Sequence, residues 1–249
     1  MTKPIYLTVA VICYAAFFAA FVYLIGFVAG YPALPSHVDA NPHWRIAATP
    51  ATAVLIDLAL IALFGVQHSV MARPGFKAGW TRIVPAPIER SVYCLASALV
   101  LALLYMFWQP IPAVVWDIEA PALRAAVWGL FALGWGIVFL STWLINHFEL
   151  FGLAQVWRHW RGSEARAARL TTPLFYRVVR HPLYSGFLLA FWAAPTMTAG
   201  HLLLAVGMTG YVLVAIRYEE RDLVGVFGAD YEDYRRRVGT LVPGLGKRG

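Results

Sequence analysis

Two short stretches near the C-terminus concentrate charge and hydrogen-bonding groups in an otherwise apolar chain: Arg180-His181-Pro182-Leu183-Tyr184-Ser185-Gly186 and Arg217-Tyr218-Glu219-Glu220-Arg221-Asp222-Leu223. In the first, Pro182 suits the opening turn of a helix, where its missing N–H has no partner to lose and its fixed φ already fits. His181 is then the N-cap. Helix-start N–H groups and the positive end of the dipole face water there, Arg180 adds a full charge, and the spacing predicts an anion site. In the second stretch, adjacent acids sit where a helix leaves the membrane, an end that favours cations. Glu219 and Glu220 therefore need the flanking Arg217 and Arg221 or a cationic ligand. Residues 183–220 read as a helical hairpin, which brings the stretches side by side. An anion pocket beside a cation pocket suits a zwitterion, such as the amino-acid end of a cofactor.

Other polar residues gather at the same membrane boundary. Gln67-His68-Ser69 ends one apolar run, and Asn146-His147-Phe148-Glu149 ends another. A histidine at such a place is either a structural hydrogen-bonding group or a proton acceptor. Asp57, in the middle of an apolar run, reads as a hydrogen-bonded core residue or as the centre of a transport path, although repeated halves or paired broken helices are lacking. A different class, a histidine-ligated membrane metalloprotein or redox carrier, would draw on His37, His43, His68, His147, His159, His181 and His201. No pair of these has i,i+4 spacing in one helix, and no metal site is expected.

These groups need a scaffold. With 60% apolar residues and 13% charge, the chain exceeds the apolar share of roughly half found in soluble domains, and it reads as an all-α polytopic membrane helix bundle. At roughly 20 apolar residues per helical crossing, long spans fall near 5–29, 49–71, 88–108, 122–146 and 201–220, with a shorter arm over 183–197. Five long spans plus the short arm of the C-terminal hairpin give six crossings, joined at Pro195-Thr196-Met197-Thr198-Ala199-Gly200. Positive charge lies in alternate loops. Arg73, Lys77, Arg82 and Arg90 fall in one, Arg158, Arg161, Arg166, Arg169, Arg177 and Arg180 in another, and Arg235, Arg236, Arg237, Lys247 and Arg248 in the tail. The intervening loops hold Arg45 against Asp39, Asp117 and Glu119, so both termini are expected in the cytoplasm. Short basic loops also account for the formal charge of +7 without a nucleic-acid groove, and the expected partner is membrane lipid. The first run is longer than a signal-peptide core and reads as a retained span. Cys13 and Cys94 read as small core residues. Residues 148–160 mix Phe148, Leu150, Phe151, Val156, Trp157 and Trp160 with Gln155, Arg158 and His159, the pattern of an interfacial amphipathic helix.

Arg180-His181-Pro182-x-Tyr184-x-Gly186, the hairpin, Glu219-Glu220-Arg221-x-Leu223, Phe227-Gly228-x-x-Tyr231-x-x-Tyr234 and Pro243 resemble the C-terminal signature of integral-membrane methyltransferases of the isoprenylcysteine carboxyl methyltransferase and phospholipid methyltransferase type. Gln67-His68-Ser69, Met71-Ala72-Arg73-Pro74-Gly75-Phe76-Lys77, Glu89-Arg90-Ser91 and Asn146-His147-Phe148-Glu149-Leu150-Phe151-Gly152 are similar to the bacterial methanethiol S-methyltransferases. The resemblance implies S-adenosylmethionine as cofactor, bound from the cytosol by Arg180, His181, Pro182, Leu183, Tyr184, Gly186, Glu219, Glu220 and Arg221. It implies a small thiol as substrate, with prenylcysteine or lipid as the alternative acceptor. Gln67, Asn146 and Phe148 are expected on the substrate side, and His68 or His147 as the catalytic proton acceptor. The expected layout is a single membrane domain over 1–249, with substrate-side helices in 1–150 and the cofactor hairpin and tail in 176–243. A bacterial inner membrane is the expected location. The acceptor pocket is expected to be small and apolar, with walls from Phe64, Gln67, His68, Trp143, Phe148 and Phe151.

Overall fold

A computed structural model describes residues 2–41, 43–47, 49–163 and 169–247. Arg166 and Arg248, counted above among the basic charges, lie outside the described residues. The elements in chain order are α1 (Thr2–Val28), α2 (Pro50–Ala72), α3 (Pro74–Trp80), α4 (Glu89–Phe107), β1 (Val114–Asp117), α5 (Pro121–Ile145), α6 (His147–Leu150), α7 (Leu153–Arg161), α8 (Pro182–Trp192), β2 (Thr196–Thr198), α9 (Ala199–Phe227) and α10 (Ala229–Arg237). Among the described residues five helices are long and apolar enough to cross a membrane: Lys3–Val28, Pro50–Ala72, Ala86–Phe107, Pro121–Ile145 and Ala199–Phe227. The protein is a polytopic membrane helix bundle. Its long helices carry exposed Ile5, Ile12, Leu55, Leu63, Val66, Leu123 and Leu133, as surfaces solvated by lipid do.

Local chemistry sets the helix starts. Pro50 follows Thr49, whose hydroxyl accepts from Thr52 N while Thr52 Oγ1 accepts from Thr49 N. Pro182 opens α8 directly after the N-cap His181. The short arm ends earlier than its apolar run suggested, at Trp192 rather than 197. Pro195 cannot continue a helix, and the chain passes instead into β2. Eleven residues of α8 rise only ~16 Å at 1.5 Å each.

The chain divides into two compact units. The first comprises Met1–Val115, Phe148–Ala165 and Met197–Leu204, the second Trp116–His147, Arg166–Thr196 and Ala205–Gly249. The boundary therefore falls between His147 and Phe148, inside a motif that reads as continuous in the sequence. Strands β1 and β2 each straddle a point where the chain passes from one unit to the other.

In the first unit α4 packs against both α1 and α2, burying Tyr93, Cys94, Ser97, Ala98, Leu101, Leu104 and Tyr105. Tyr105 stacks on Tyr23 at 4.7 Å between ring centroids. Asp57 is fully buried and accepts from Gln109 N at 2.8 Å, so it holds the turn that follows α4. Amphipathic α7 packs on α1 through buried Val156 and exposes Trp157 and Trp160.

In the second unit α5 and α8 touch backbone to backbone. A Cβ on Gly134 would lie 2.7 Å from Ala190 N, and one on Gly186 would lie 2.7 Å from Gly134 O and 2.9 Å from Val138 N. Only glycine permits this approach, so Gly186 serves as a packing residue. Trp135 then closes the contact edge-on to Phe187 and Phe191. Because Gly134 faces Gly186 and Ala190 while Val138 faces Gly186, the helices run antiparallel. One turn further on, the register brings Thr142 level with Pro182.

Candidate active site

The hairpin ends meet around Glu220. Arg180 donates from Nε to Glu220 Oε1 at 2.8 Å, and its Nη2 lies 2.7 Å from the same oxygen. His181 Nε2 lies 3.3 Å from Oε1, and Arg235 Nε lies 3.4 Å from Oε2. Glu220 is 2% exposed and Arg180 3%. The reason for this knot differs from the one the sequence suggested. α9 continues to Phe227, so the glutamates stand two turns before its end, and the helix dipole, felt only in the last turn, does not act on them. What compensates Glu220 is the guanidinium groups of Arg180, just before α8's cap, and of Arg235 in α10, with the His181 ring beside them. Arg217 and Arg221 are exposed, and Arg221 lies over the Tyr218 ring, 5.6 Å from its centroid.

Arg180 also turns inward rather than toward water. Its Nη1 donates to Arg235 O and Val238 O, and its Nη2 donates to Thr240 Oγ1 at 2.8 Å and Gly246 O at 3.2 Å. The tail thus docks on the start of α8. Arg180 N donates to Gly239 O, His181 N to Thr240 O, and Ser185 Oγ to Leu241 O. Gly239 makes this possible, since a Cβ there would collide with Val242 O. Tyr234 donates to Tyr176 O, which ties α10 to the segment before Arg180. Burial raises the Tyr234 phenol to about 12 and the Tyr231 phenol well above its usual range, so both stay neutral beside the knot.

The open part of this region is narrower than the motifs alone suggest. Glu219 keeps a carboxylate 41% exposed, 3.8 Å from His181 Nδ1. Leu183 and Tyr184 are half-buried in the first turn of α8, and the Tyr184 ring lies 5.7 Å from that of His181. Arg180, Pro182, Gly186 and Glu220 are buried behind them. Arg235, Thr240 and Gly239 as partners were not legible in the sequence; the nearest signal was the Tyr231-x-x-Tyr234 motif that immediately precedes Arg235.

The other predicted site residues divide between the units. Asn146 and His147 belong to the second, Gln67, His68 and Phe148 to the first. His147 is 4% exposed, stacks on Trp143 at 4.5 Å between centroids, and places Nδ1 2.8 Å from Thr142 Oγ1. Burial holds its imidazole below the usual range, so it is neutral at neutral pH. Asn146 precedes it at φ 135 and ψ 88, a backbone conformation that non-glycine residues rarely adopt. In the first unit His68 stacks on Phe64 at 5.2 Å and places Nδ1 3.1 Å from Ser97 Oγ. Tyr93 lies beside it at 5.0 Å, and the Arg90 guanidinium carbon stands 4.7 Å from the Tyr93 ring centroid. Arg90 also donates to Leu150 O at 2.7 Å. Gly152, at φ 91, sits on Ser91, where a Cβ would come within 2.5 Å of its hydroxyl, which accounts for the serine and glycine of two separate motifs. Phe151 packs on Phe17, while Phe148 is 47% exposed. Among the described residues no group of three or more His, Cys, Asp or Glu side chains gathers as metal ligands.

Comparison with known proteins gives close relatives. A methanethiol S-methyltransferase of Mycobacterium tuberculosis is 54% identical over 230 residues, 92% of each chain. One from Crocosphaera subtropica is 45% identical over 248 residues, covering 100% of this chain and 95% of its own. Nurim from Pan troglodytes is 34% identical over 204 residues, 74% of each chain. No family model and no solved structure matches.

Proposed function

The chain belongs to the methanethiol S-methyltransferase family, and on that premise we propose that it methylates the sulfur of methanethiol, giving dimethyl sulfide, with S-adenosylmethionine as the methyl donor. The observation that carries the cofactor part is the half-exposed Glu219 carboxylate held beside His181 and the start of α8. That donor set fits an amino-acid moiety. Glu219 offers an acceptor to an ammonium group, while Leu183 in the first turn of α8 carries a helix-start N–H for a carboxylate. His181, Tyr184 and exposed Arg221 complete the rim. Arg180, Pro182, Gly186 and Glu220 act from behind, fixing where α8 starts and how it meets α9.

Bound there, S-adenosylmethionine supplies a methyl group on a positively charged sulfur, already activated for displacement. The protein then has to hold the thiol sulfur in line with that methyl and remove a proton. A simple alkanethiol has a pKa above the roughly 8.5 of cysteine, so it reaches the site protonated at neutral pH. His68 or His147 is our candidate for accepting that proton, and Gln67, Asn146 and Phe148 are our candidates for substrate contact. With two heavy atoms, methanethiol gains at most about 1.5 kcal/mol for each. Selectivity must therefore come from excluding larger thiols and water. The basic loops favour six crossings with both termini and the site on the cytoplasmic side of a bacterial inner membrane.

The test is purified protein in lipid nanodiscs with labelled S-adenosylmethionine and a panel of methanethiol, longer thiols, farnesylated cysteine and phospholipid. We expect methanethiol to be the best acceptor, S-adenosylhomocysteine to bind in calorimetry, and chelators to leave turnover unchanged. A farnesylated cysteine or a lipid outcompeting methanethiol would move the acceptor to the alternative class.

A further inference from the structure

Both candidate histidines meet a hydroxyl whose single proton is already committed. Thr142 Oγ1 donates to Phe139 O at 2.7 Å, back along its own helix. A hydroxyl has one proton to give, so toward His147 Nδ1, 2.8 Å away, it can only accept. His147 must then carry its proton on Nδ1 and its lone pair on Nε2. Ser97 does the same for His68, donating to Tyr93 O at 3.0 Å and facing Nδ1 at 3.1 Å. Tautomer alone therefore does not choose between the two bases.

Place and backbone do. His147 belongs to the same unit as the cofactor residues, and the antiparallel α5–α8 register brings Thr142 level with Pro182 at the start of the cofactor-binding helix. Asn146, at φ 135, turns the chain out of α5 just before His147. Strained backbone of this kind persists only where the surroundings enforce it, and it clusters at functional sites. The imidazole is further clamped face to face on Trp143.

Resting on the function proposed above, we infer that Thr142 is a positioning residue that fixes the tautomer of His147, and that Nε2 of His147 is the atom which takes the thiol proton. In that step the S–H bond of methanethiol breaks as the proton moves to Nε2. The sulfur's electron pair forms the new S–CH3 bond, and the departing sulfonium keeps the electrons of its broken bond to the methyl. The products are dimethyl sulfide, S-adenosylhomocysteine and an imidazolium, with the positive charge passed from sulfonium to His147.

The experiment compares wild type, Thr142→Val and Thr142→Ser in nanodiscs. Nitrogen-15 spectra of labelled histidine, assigned with His147→Gln, report the tautomer, and steady-state kinetics with methanethiol report turnover. We expect an Nδ1–H imidazole in wild type, loss of that tautomer in Thr142→Val with kcat down at least tenfold and unchanged affinity for S-adenosylhomocysteine, and recovery of both in Thr142→Ser. An Nε2–H imidazole in active wild type overturns the inference alone. So does a Val variant that changes tautomer without changing kcat, or a Ser variant no better than Val. Wild type that holds the Nδ1–H tautomer yet transfers no methyl to methanethiol sinks the acceptor reading instead, and the base role with it.

Discussion

Arg158 grips Glu149 with both terminal nitrogens, at 2.5 and 2.6 Å, and the two side chains remain 26% and 40% exposed. Arg180 grips Glu220 at 2.7 and 2.8 Å, with side chains 1% and 3% exposed. The distances are similar, although Arg158 spans both carboxylate oxygens and Arg180 converges on one, and the surroundings set opposite consequences. Glu149 and Arg158 lie 9 residues apart in and beside an interfacial helix. Water screens them, and either can be lost with little harm. Arg180 and Glu220 are 40 residues apart and desolvated, so each depends on the other and on His181, Arg235 and the tail carbonyls to offset the cost of burial. The same ion pair is thus a surface ornament in one unit and the keystone of a fold-back in the other.

The largest effect should come from Arg180→Met. It leaves Glu220 buried without its main partner and strips the tail of the donors that hold Val238, Thr240 and Gly246. We expect a loss of about 3–5 kcal/mol, seen as a collapse of the thermal midpoint in detergent. Arg180→Lys should keep charge but lose the fork, and fall between. Equal melting of wild type and the Met variant would erase the contrast between the two pairs.

A smaller effect is expected from Glu220→Gln, which keeps shape and one acceptor. Its weakened hold on Arg180 and His181 should lower cofactor affinity by about 1.5–3 kcal/mol, roughly 10- to 150-fold in calorimetry. Unchanged affinity in a folded variant would reduce the knot to a fastening for the tail.

The smallest is Glu149→Gln, at about 0.2–1 kcal/mol, shrinking further as salt rises. The sign of its pH dependence follows from the hydrogen bonds and charge of Arg158, which hold the Glu149 carboxyl below its usual range. A depressed carboxylate stabilises the fold above its unfolded value of roughly 4.3, and that stability is lost as pH falls through the lowered folded value. Wild type should therefore begin to lose its small advantage over Glu149→Gln as pH falls below about 4.3. An advantage that does not decline at all on acidification would show that the pair is held by more than charge.

Much of this protein is legible in neighbouring residues alone. Apolar runs gave the five long spans, Pro182 gave the start of α8 with His181 as its cap, and the mixed residues of 148–160 gave amphipathic α7, which begins only at Leu153. These signals are local, because a helix is specified within a turn or two of its own side chains. What a charged side chain faces is a different matter. Arg180 read as an anion site open to water and is instead spent on Glu220 and a tail up to 66 residues away. Glu219 and Glu220 read as a helix end, and α9 runs on past them. Gly186 read as part of a pocket and is the floor of a helix–helix contact with Gly134. The proton on His147 could not be assigned from sequence at all, since it depends on where Thr142 sends its own. Burial and partner choice are set by contacts between segments far apart in the chain, and only the tertiary structure decides them.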